Sequence, residues 1–209
     1  MNGDDPIIVP IHYDFASTLC FVAHRVMERI AHRFQASAHD AGRPPVHFEW
    51  TPLDLAALLN WNRGGVVPDD RLANARRVAR ELEVPAQTPR VWLDSRAAMA
   101  AALCLEDPDR EAAWRERVYT AIFEEGRSCD DPGEVESWGH DLGLDFEVDA
   151  IERGLAELER RTRKAADAMV TGVPTFMLAD WPMGGIQDDD TMVTLICRFA
   201  RRARERGTA

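Results

Sequence analysis

The sequence predicts an α/β fold: a β-α-β unit and a later β-β-α unit form one small sheet, with a large all-helical insertion between them. Three observations lead there. Short β-branched or alternating runs lie near the two ends, at 7–13, 46–50 and 175–178, while the middle of the chain has a helical apolar repeat. A compact motif, Asp14-Phe15-Ala16-Ser17-Thr18-Leu19-Cys20-Phe21, joins the first strand to the first helix. A second, Thr171-Gly172-Val173-Pro174-Thr175-Phe176, leads into the strands that return at the far end.

Ile7-Ile8-Val9-Pro10-Ile11-His12-Tyr13 reads as a buried strand, with Pro10 an argument against a wholly central place. After Ser17 the period changes. Phe21, Val22, Val26, Met27, Ile30, Ala31 and Phe34 share one helical face, and Arg25, Glu28, Arg29 and Arg33 lie opposite. Ala41-Gly42-Arg43-Pro44-Pro45 ends the unit, and Val46-His47-Phe48-Glu49-Trp50 alternates as a second strand closed by Thr51-Pro52. Strand, helix, strand in this span predicts a parallel pair.

The stretch 53–169 reads as helices throughout. They cover Leu53 to Leu59 and Asp69 to Glu83, the latter stopped by Pro85 and Pro89. Another is capped by Ser95, one starts at Pro108, and a short one runs from Asp130-Asp131-Pro132. Glu147 to Met169 is long and amphipathic, with Glu157–Arg161 and Glu159–Arg163 pairs. Thr175-Phe176-Met177-Leu178 is the third strand and Trp181-Pro182-Met183 its edge partner. Gly184-Gly185 turns the chain into a last helix from Asp188 to Arg206. The domains are therefore 1–52 with 170–209 for the sheet, and 53–169 for the inserted helical subdomain.

Composition narrows the function. The 209 residues are 45% hydrophobic, enough for a core. The formal net charge is -11 and Lys164 is the only lysine, so nucleic acid is not the expected partner. The Arg-rich 198–206 tract reads as the solvated end of a helix, where cations suit the dipole. No segment reaches the apolar length of a membrane span, and the acidic start Met1-Asn2-Gly3-Asp4-Asp5-Pro6 lacks the basic region of a secretory signal. A soluble, cytoplasmic protein is expected. Cys20, Cys104, Cys129 and Cys197 match neither a zinc site nor a disulfide framework, and His24 and His32 show no third ligand, so no metal is expected.

The motifs and the order of elements resemble the DsbA-type branch of the thioredoxin fold, and within it 2-hydroxychromene-2-carboxylate isomerases and kappa-class glutathione transferases. Those proteins carry Asp-Phe-x-Ser-Pro-aromatic-x-aromatic-Leu-Ala after a strand, where this chain has Asp14-Phe15-Ala16-Ser17-Thr18-Leu19-Cys20-Phe21-Val22-Ala23. Asp94-Ser95-Arg96-Ala97-Ala98-Met99 and Phe123-Glu124-Glu125-Gly126-Arg127 also resemble landmarks of the family, so the resemblance spans nearly the whole chain. It implies a thioredoxin-like fold, glutathione as cofactor, a small-molecule substrate and a homodimer. Thr18 in place of Pro and Leu19 in place of an aromatic ring change the wall beside the sulfur.

Relatives that exchange disulfides have Cys-x-x-Cys where Ser17-Thr18-Leu19-Cys20 stands. A dithiol cycle needs two sulfurs, and this motif has one. In the resembled enzymes the serine matching Ser17 donates a hydrogen bond to the glutathione sulfur. A hydroxyl and a helix N-terminus both favour a thiolate. The same serine also reads as a plain N-cap, and the two roles are compatible. Cys20 reads as a core residue or as a lone redox thiol. The resemblance further implies a cis bond at Pro174 facing Ser17, with the Val173 backbone pairing with the cysteinyl part of glutathione. It places Gln187 and Asp188 near the γ-glutamyl group and Asn62 near the tripeptide. Ile186 interrupts the related Gly-Gln-Asp pattern, and Asp188, Asp189 and Asp190 read equally as first-turn acids. His12 reads as a strand side chain or a base.

The reading is an enzyme, a glutathione-dependent isomerase or transferase acting on a small apolar electrophile. A one-cysteine thiol oxidoreductase using Cys20 and a non-catalytic binding module are the alternatives. The regions around Trp61 and Trp181 are the expected partner surfaces in the latter.

Overall fold

The computed structural model describes residues 6–35, 45–179 and 181–205. Strands β1 (Ile7–Tyr13), β2 (Val46–Pro52), β3 (Thr175–Leu178) and β4 (Trp181–Gly184) form a sheet of order β2-β1-β3-β4. β1 and β2 are parallel, with Ile11 opposite Trp50, while β3 is antiparallel to both β1 and β4. The turn expected at 41–44 and the end of the last helix at Arg206 lie outside the described residues.

Eight helices are described: α1 (Thr18–Gln35), α2 (Leu55–Leu59), α3 (Asp69–Glu81), α4 (Arg96–Leu103), α5 (Pro108–Phe123), α6 (Pro132–Asp141), α7 (Val148–Asp167) and α8 (Asp189–Glu205). Three of them start on a side-chain cap. Asp54, Asp107 and Asp131 accept backbone N–H groups at the starts of α2, α5 and α6, and proline opens the latter two. α2 ends at Asn60, which adopts the left-handed conformation at φ 54°.

β1 differs from the continuous burial expected of it. Ile7, Val9, Ile11 and Tyr13 are buried on one face, whereas Ile8, on the other, is 43% exposed. Pro10 is nonetheless accommodated in a central strand. The Ile7 N–H donates to Pro45 beside β2, so by alternation the Pro10 nitrogen points to the opposite side. There β3 pairs only with Ile11 and His12, and no ladder bond at Pro10 is lost.

One buried core runs through both parts of the chain. Val9, Ile11 and Tyr13 of β1 and Phe21, Val26 and Ile30 of α1 pack in the same cluster as Trp114, Val118, Tyr119 and Ile122 of α5 and Trp138 of α6. Aromatic edges knit it: Tyr119 lies 5.0 Å from Phe15, and Phe21 stacks on Phe123 at 5.0 Å. A second, smaller cluster of Leu53, Leu55, Ala165 and Val170 lies between α2 and α7, with Trp61, Trp92 and Val173 packed on it. The inserted helices thus bury their apolar faces against the sheet and α1.

α4 and α7 meet at Gly154. A Cβ there would come within 2.6 Å of the Ala100 carbonyl oxygen, a backbone atom that cannot swing away. Gly154→Ala should therefore force the helices apart and cost about 1–3 kcal/mol, minus the small helix-propensity gain of alanine. Thermal and urea unfolding measure this; an unchanged midpoint would mean that the two helices do not need this approach.

Candidate active site

β1 ends in a polypeptide turn built on a buried carboxylate. Asp14 is 1% exposed. One of its oxygens accepts the Ala16 N–H at 2.8 Å and the Ser95 hydroxyl at 2.5 Å, and the other accepts the Leu55 N–H at 2.8 Å. Asp14 therefore fixes the loop before α1, the first turn of α2 and the residue before α4. Ser95 does not cap α4 with its side chain, contrary to its sequence reading: its backbone, at φ -85° and ψ 1°, lacks the extended conformation of an N-cap, and its hydroxyl turns to Asp14 instead. Burial raises the Asp14 carboxyl from the usual range near 4 to about 6, against the pull of its three hydrogen bonds.

Held by that loop, Ser17 stands at the start of α1. Its carbonyl accepts from Cys20 and Phe21, and its Oγ accepts the Cys20 N–H at 3.3 Å. That is an N-cap, and it leaves the hydroxyl proton to donate elsewhere. Ser17 also lines a cleft together with Ala16, Thr18, Leu19 and Val173. Across it stand Trp61, Arg71, Val91 and Trp92 from the helical insertion. The cleft encloses about 90 Å³, well under the several hundred that engulf a drug-sized molecule, so a larger ligand must lie along its mouth.

The Val173–Pro174 peptide bond is cis. The Thr175 hydroxyl donates to the Gly172 carbonyl at 2.8 Å, and the Gly185 N–H donates to the Pro174 carbonyl at 2.8 Å, which ties the turn to the end of β4. Pro174 itself is buried, and Val173 is the residue of the turn that reaches the cleft.

The far wall is a short backbone ladder. Gly64 and Gly65 exchange hydrogen bonds with Trp92 at 2.7 Å each, Val67 N–H donates to Arg90, and Val66 bridges Val91. Gly64 has φ +74°, and a Cβ on Gly65 would meet the Asn62 carbonyl at 2.7 Å. The ladder sets Trp61 edge-on to Trp92 with ring centres 4.8 Å apart. Trp61 is thus half-buried in the cleft wall, whereas Trp181, on the edge strand, is 59% exposed.

The structure brings Ser17 and Val173 to one cleft. Asn62 is exposed in the loop beside Trp61 and is not among the cleft's lining residues. Gln187 and Asp188 are exposed ahead of α8 and also lie outside that lining. Asp188 accepts the N–H and the hydroxyl of Thr191, the first-turn role open to it from sequence. Arg71 escaped the sequence reading because it is one arginine among many on an amphipathic helix. Ser95 was legible only as a cap, since nothing local shows that it faces Asp14.

Cys20 is fully buried, and burial pushes its thiol up to about 12, only partly countered by the Ser17 hydroxyl. Such a thiol is neutral and inert. His12 is half-buried on β1, with its pKa lowered by burial. His24 gains neighbours that the sequence did not reveal: Glu116 at 2.9 Å and Glu28 at 3.5 Å. These are cation-ligand types, but the Arg25 guanidinium already holds both glutamates and Glu124.

The sequence pattern of the DSBA-like thioredoxin domain matches residues 8–196. No curated protein matches the chain. Among solved structures, 2-hydroxychromene-2-carboxylate isomerase is similar over 96% of this chain and 98% of its own, with 22% identity and a TM-score of 0.66. A probable DsbA oxidoreductase from Streptomyces coelicolor is similar over 92% and 89%, with 18% identity and a TM-score of 0.70. The cytosolic disulfide reductase DsbM from Pseudomonas aeruginosa with GSH is similar over 97% and 100%, with 18% identity and a TM-score of 0.57. These likenesses establish the thioredoxin-like fold with its helical insertion.

Two outcomes follow from the buried groups. In the native protein at pH 7.5, Cys20 should resist iodoacetamide and take up label only on unfolding, as peptide mass spectrometry would show; rapid native labelling would contradict its burial. Asp14 has a folded pKa above its unfolded one, so its contribution to stability is fullest below about pH 4 and falls as pH rises through about 6. The stability difference between the natural chain and Asp14→Asn should accordingly shrink from pH 4 to pH 7, by up to about 3 kcal/mol in urea unfolding. A difference that grows over that range would reverse the assignment.

Proposed function

The chain belongs to the family of DSBA-like thioredoxin domains, and from that premise we propose that it is a glutathione-dependent isomerase or transferase acting on small apolar electrophiles. One observation carries the reading. At the position where a disulfide-exchanging relative needs its attacking sulfur, the cleft presents the Ser17 hydroxyl, while Cys20 is sealed in the core and no cysteine is among the cleft's lining residues. A site of this kind holds a thiolate brought from outside.

Ser17 suits that task. Its oxygen is engaged with the Cys20 N–H, so its proton is the free donor, and the neutral Cys20 thiol competes weakly for it. The N-terminus of α1 adds a positive partial charge. The Asp14 carboxylate opposes an anion nearby, and its three hydrogen bonds offset part of that charge. On the other side, Val173 borders the cleft in the bend before β3, where its backbone can pair with the cysteinyl unit of glutathione. Pro174 shapes that bend. Gln187, Asp188 and Asn62 belong to the reading as outer contacts of the tripeptide reaching beyond the enclosed space.

The chemistry balances without a redox partner. The thiolate adds to the β-carbon of an activated alkene, and the alkene's electron pair moves to the conjugated carbonyl as an enolate. Rotation about the resulting single bond and expulsion of the same thiolate give the isomer. Protonation of the enolate carbon instead leaves the transferase product. Lowering the thiol's pKa from near 8.5 supplies the nucleophile at neutral pH. A reducing, cytoplasmic setting suits this use, with glutathione present as thiol and all four cysteines free. No described helix is long and apolar enough to cross a membrane.

Calorimetry of glutathione binding tests the reading, with thiolate absorbance at 240 nm followed against pH. The bound thiol should titrate below that of free glutathione. Ser17→Ala should weaken binding about tenfold and raise the bound thiol's pKa, the loss expected for one hydrogen bond to a charged group. Equal affinity and equal thiol pKa in both proteins would overturn the role of Ser17. A glutathione adduct on Cys20 after exposure of the native protein to glutathione disulfide would favour the oxidoreductase alternative.

A further inference from the structure

Arg71 is the only charged residue lining the cleft. The remaining wall is aliphatic or aromatic apart from the hydroxyls of Ser17, Thr18 and Thr88. Arg71 stands in the first turn of α3 and is exposed at the rim. Its guanidinium carbon lies 4.3 Å from the centre of the Trp61 ring. At that distance the face of the guanidinium can rest on the ring, an arrangement that keeps its in-plane N–H donors available.

Among the described residues, no carboxylate pairs with those donors. Arg25, Arg63, Arg115, Arg117 and Arg127 each hold an acidic side chain. Arg71 makes no ion pair among the described residues, although Asp69 and Asp70 precede it in the same turn. In a chain with a formal charge of -11, an arginine over an aromatic ring beside an apolar cleft, without an ion pair among the described residues, suits an anion supplied by a ligand. Trp61, braced by Trp92 and by the Gly64–Trp92 ladder, holds the guanidinium in place.

We propose that Arg71 anchors the carboxylate of a ligand lying in this cleft, so that the site selects a flat apolar acid over its neutral counterpart. The inference deepens the glutathione reading and rests on it for the cleft being the active site. Two ligands can bring the carboxylate: the glycyl end of glutathione or the electrophile itself. Both offer a planar acceptor that the guanidinium fork matches with two parallel hydrogen bonds.

Calorimetry in two arms tests the proposal and tells the sources apart. In the first, glutathione is compared with its C-terminal amide. In the second, trans-cinnamate is compared with trans-cinnamamide, with and without saturating glutathione. The natural chain should prefer the acid by about tenfold in at least one arm. Arg71→Gln should abolish that preference while leaving affinity for the amide unchanged, and Arg71→Lys, which keeps the charge but loses the fork, should retain part of it. Arg71 is exposed, so both variants should melt with the natural chain. Equal affinity for acid and amide in both arms overturns the proposal, as does a preference that survives Arg71→Gln, or no binding of any carboxylate ligand. An Arg71-dependent preference for cinnamate with no glutathione affinity supports the anchor and sinks the glutathione reading. Ser17-dependent glutathione binding without discrimination does the reverse.

Discussion

The buried carboxylate of Asp14 is the constraint on which the rest of the site depends. A carboxylate without water is tolerated only when its lone pairs are matched, and this one is matched by three donors from three separated segments. The end of β1, the start of α2 and the approach to α4 are thereby brought to one point. Ser17 owes its place to that point, since it is the third residue of a loop whose middle N–H is held by Asp14. The first residues of the helical insertion owe theirs to it as well. Remove the carboxylate and each of the three donors is left in a dry interior, where an unmet N–H or O–H is costly.

The large aromatic core serves the same geometry from behind. Phe15, between Asp14 and Ser17, is fully buried against Tyr13 and Tyr119, so the loop is fixed by packing on one face and by hydrogen bonds on the other. Cys20 fills the space beneath the first turn of α1 in the same core. Its burial keeps the sulfur out of the cleft, which presents Ser17 and Val173 instead.

Much of this was legible in the sequence, and the parts that were not share a cause. The strands, the start of α1 at Thr18 and the capped starts of α5 and α6 follow from local patterns: alternation, a helical apolar stripe, Asp before Pro. Ser17 and Val173 stood out because each lies in a compact motif. What stayed hidden were the long-range side-chain pairings that no motif announces. Ser95 reads locally as a cap, yet its partner lies 81 residues away. The glutamate facing His24 is 92 residues off, on α5. Pro10 argued against a central strand, and only the length of β3, which pairs two residues of β1, shows why it is harmless. Trp61 looked like free surface because nothing near it in sequence announces Trp92.

The ladder between Gly64–Val67 and Arg90–Trp92 has an implication for how this protein can diverge. It closes on itself through its own backbone bonds and shares none of them with the turn that holds Ser17. The two sides of the cleft therefore come from separate stretches of chain, one around residue 17 and the other between 61 and 92. Side chains along the second stretch can change while the turn that holds Ser17 stays intact. The outer wall is thus the part of the molecule on which natural variation, or a directed library, can act with the least loss of foldability.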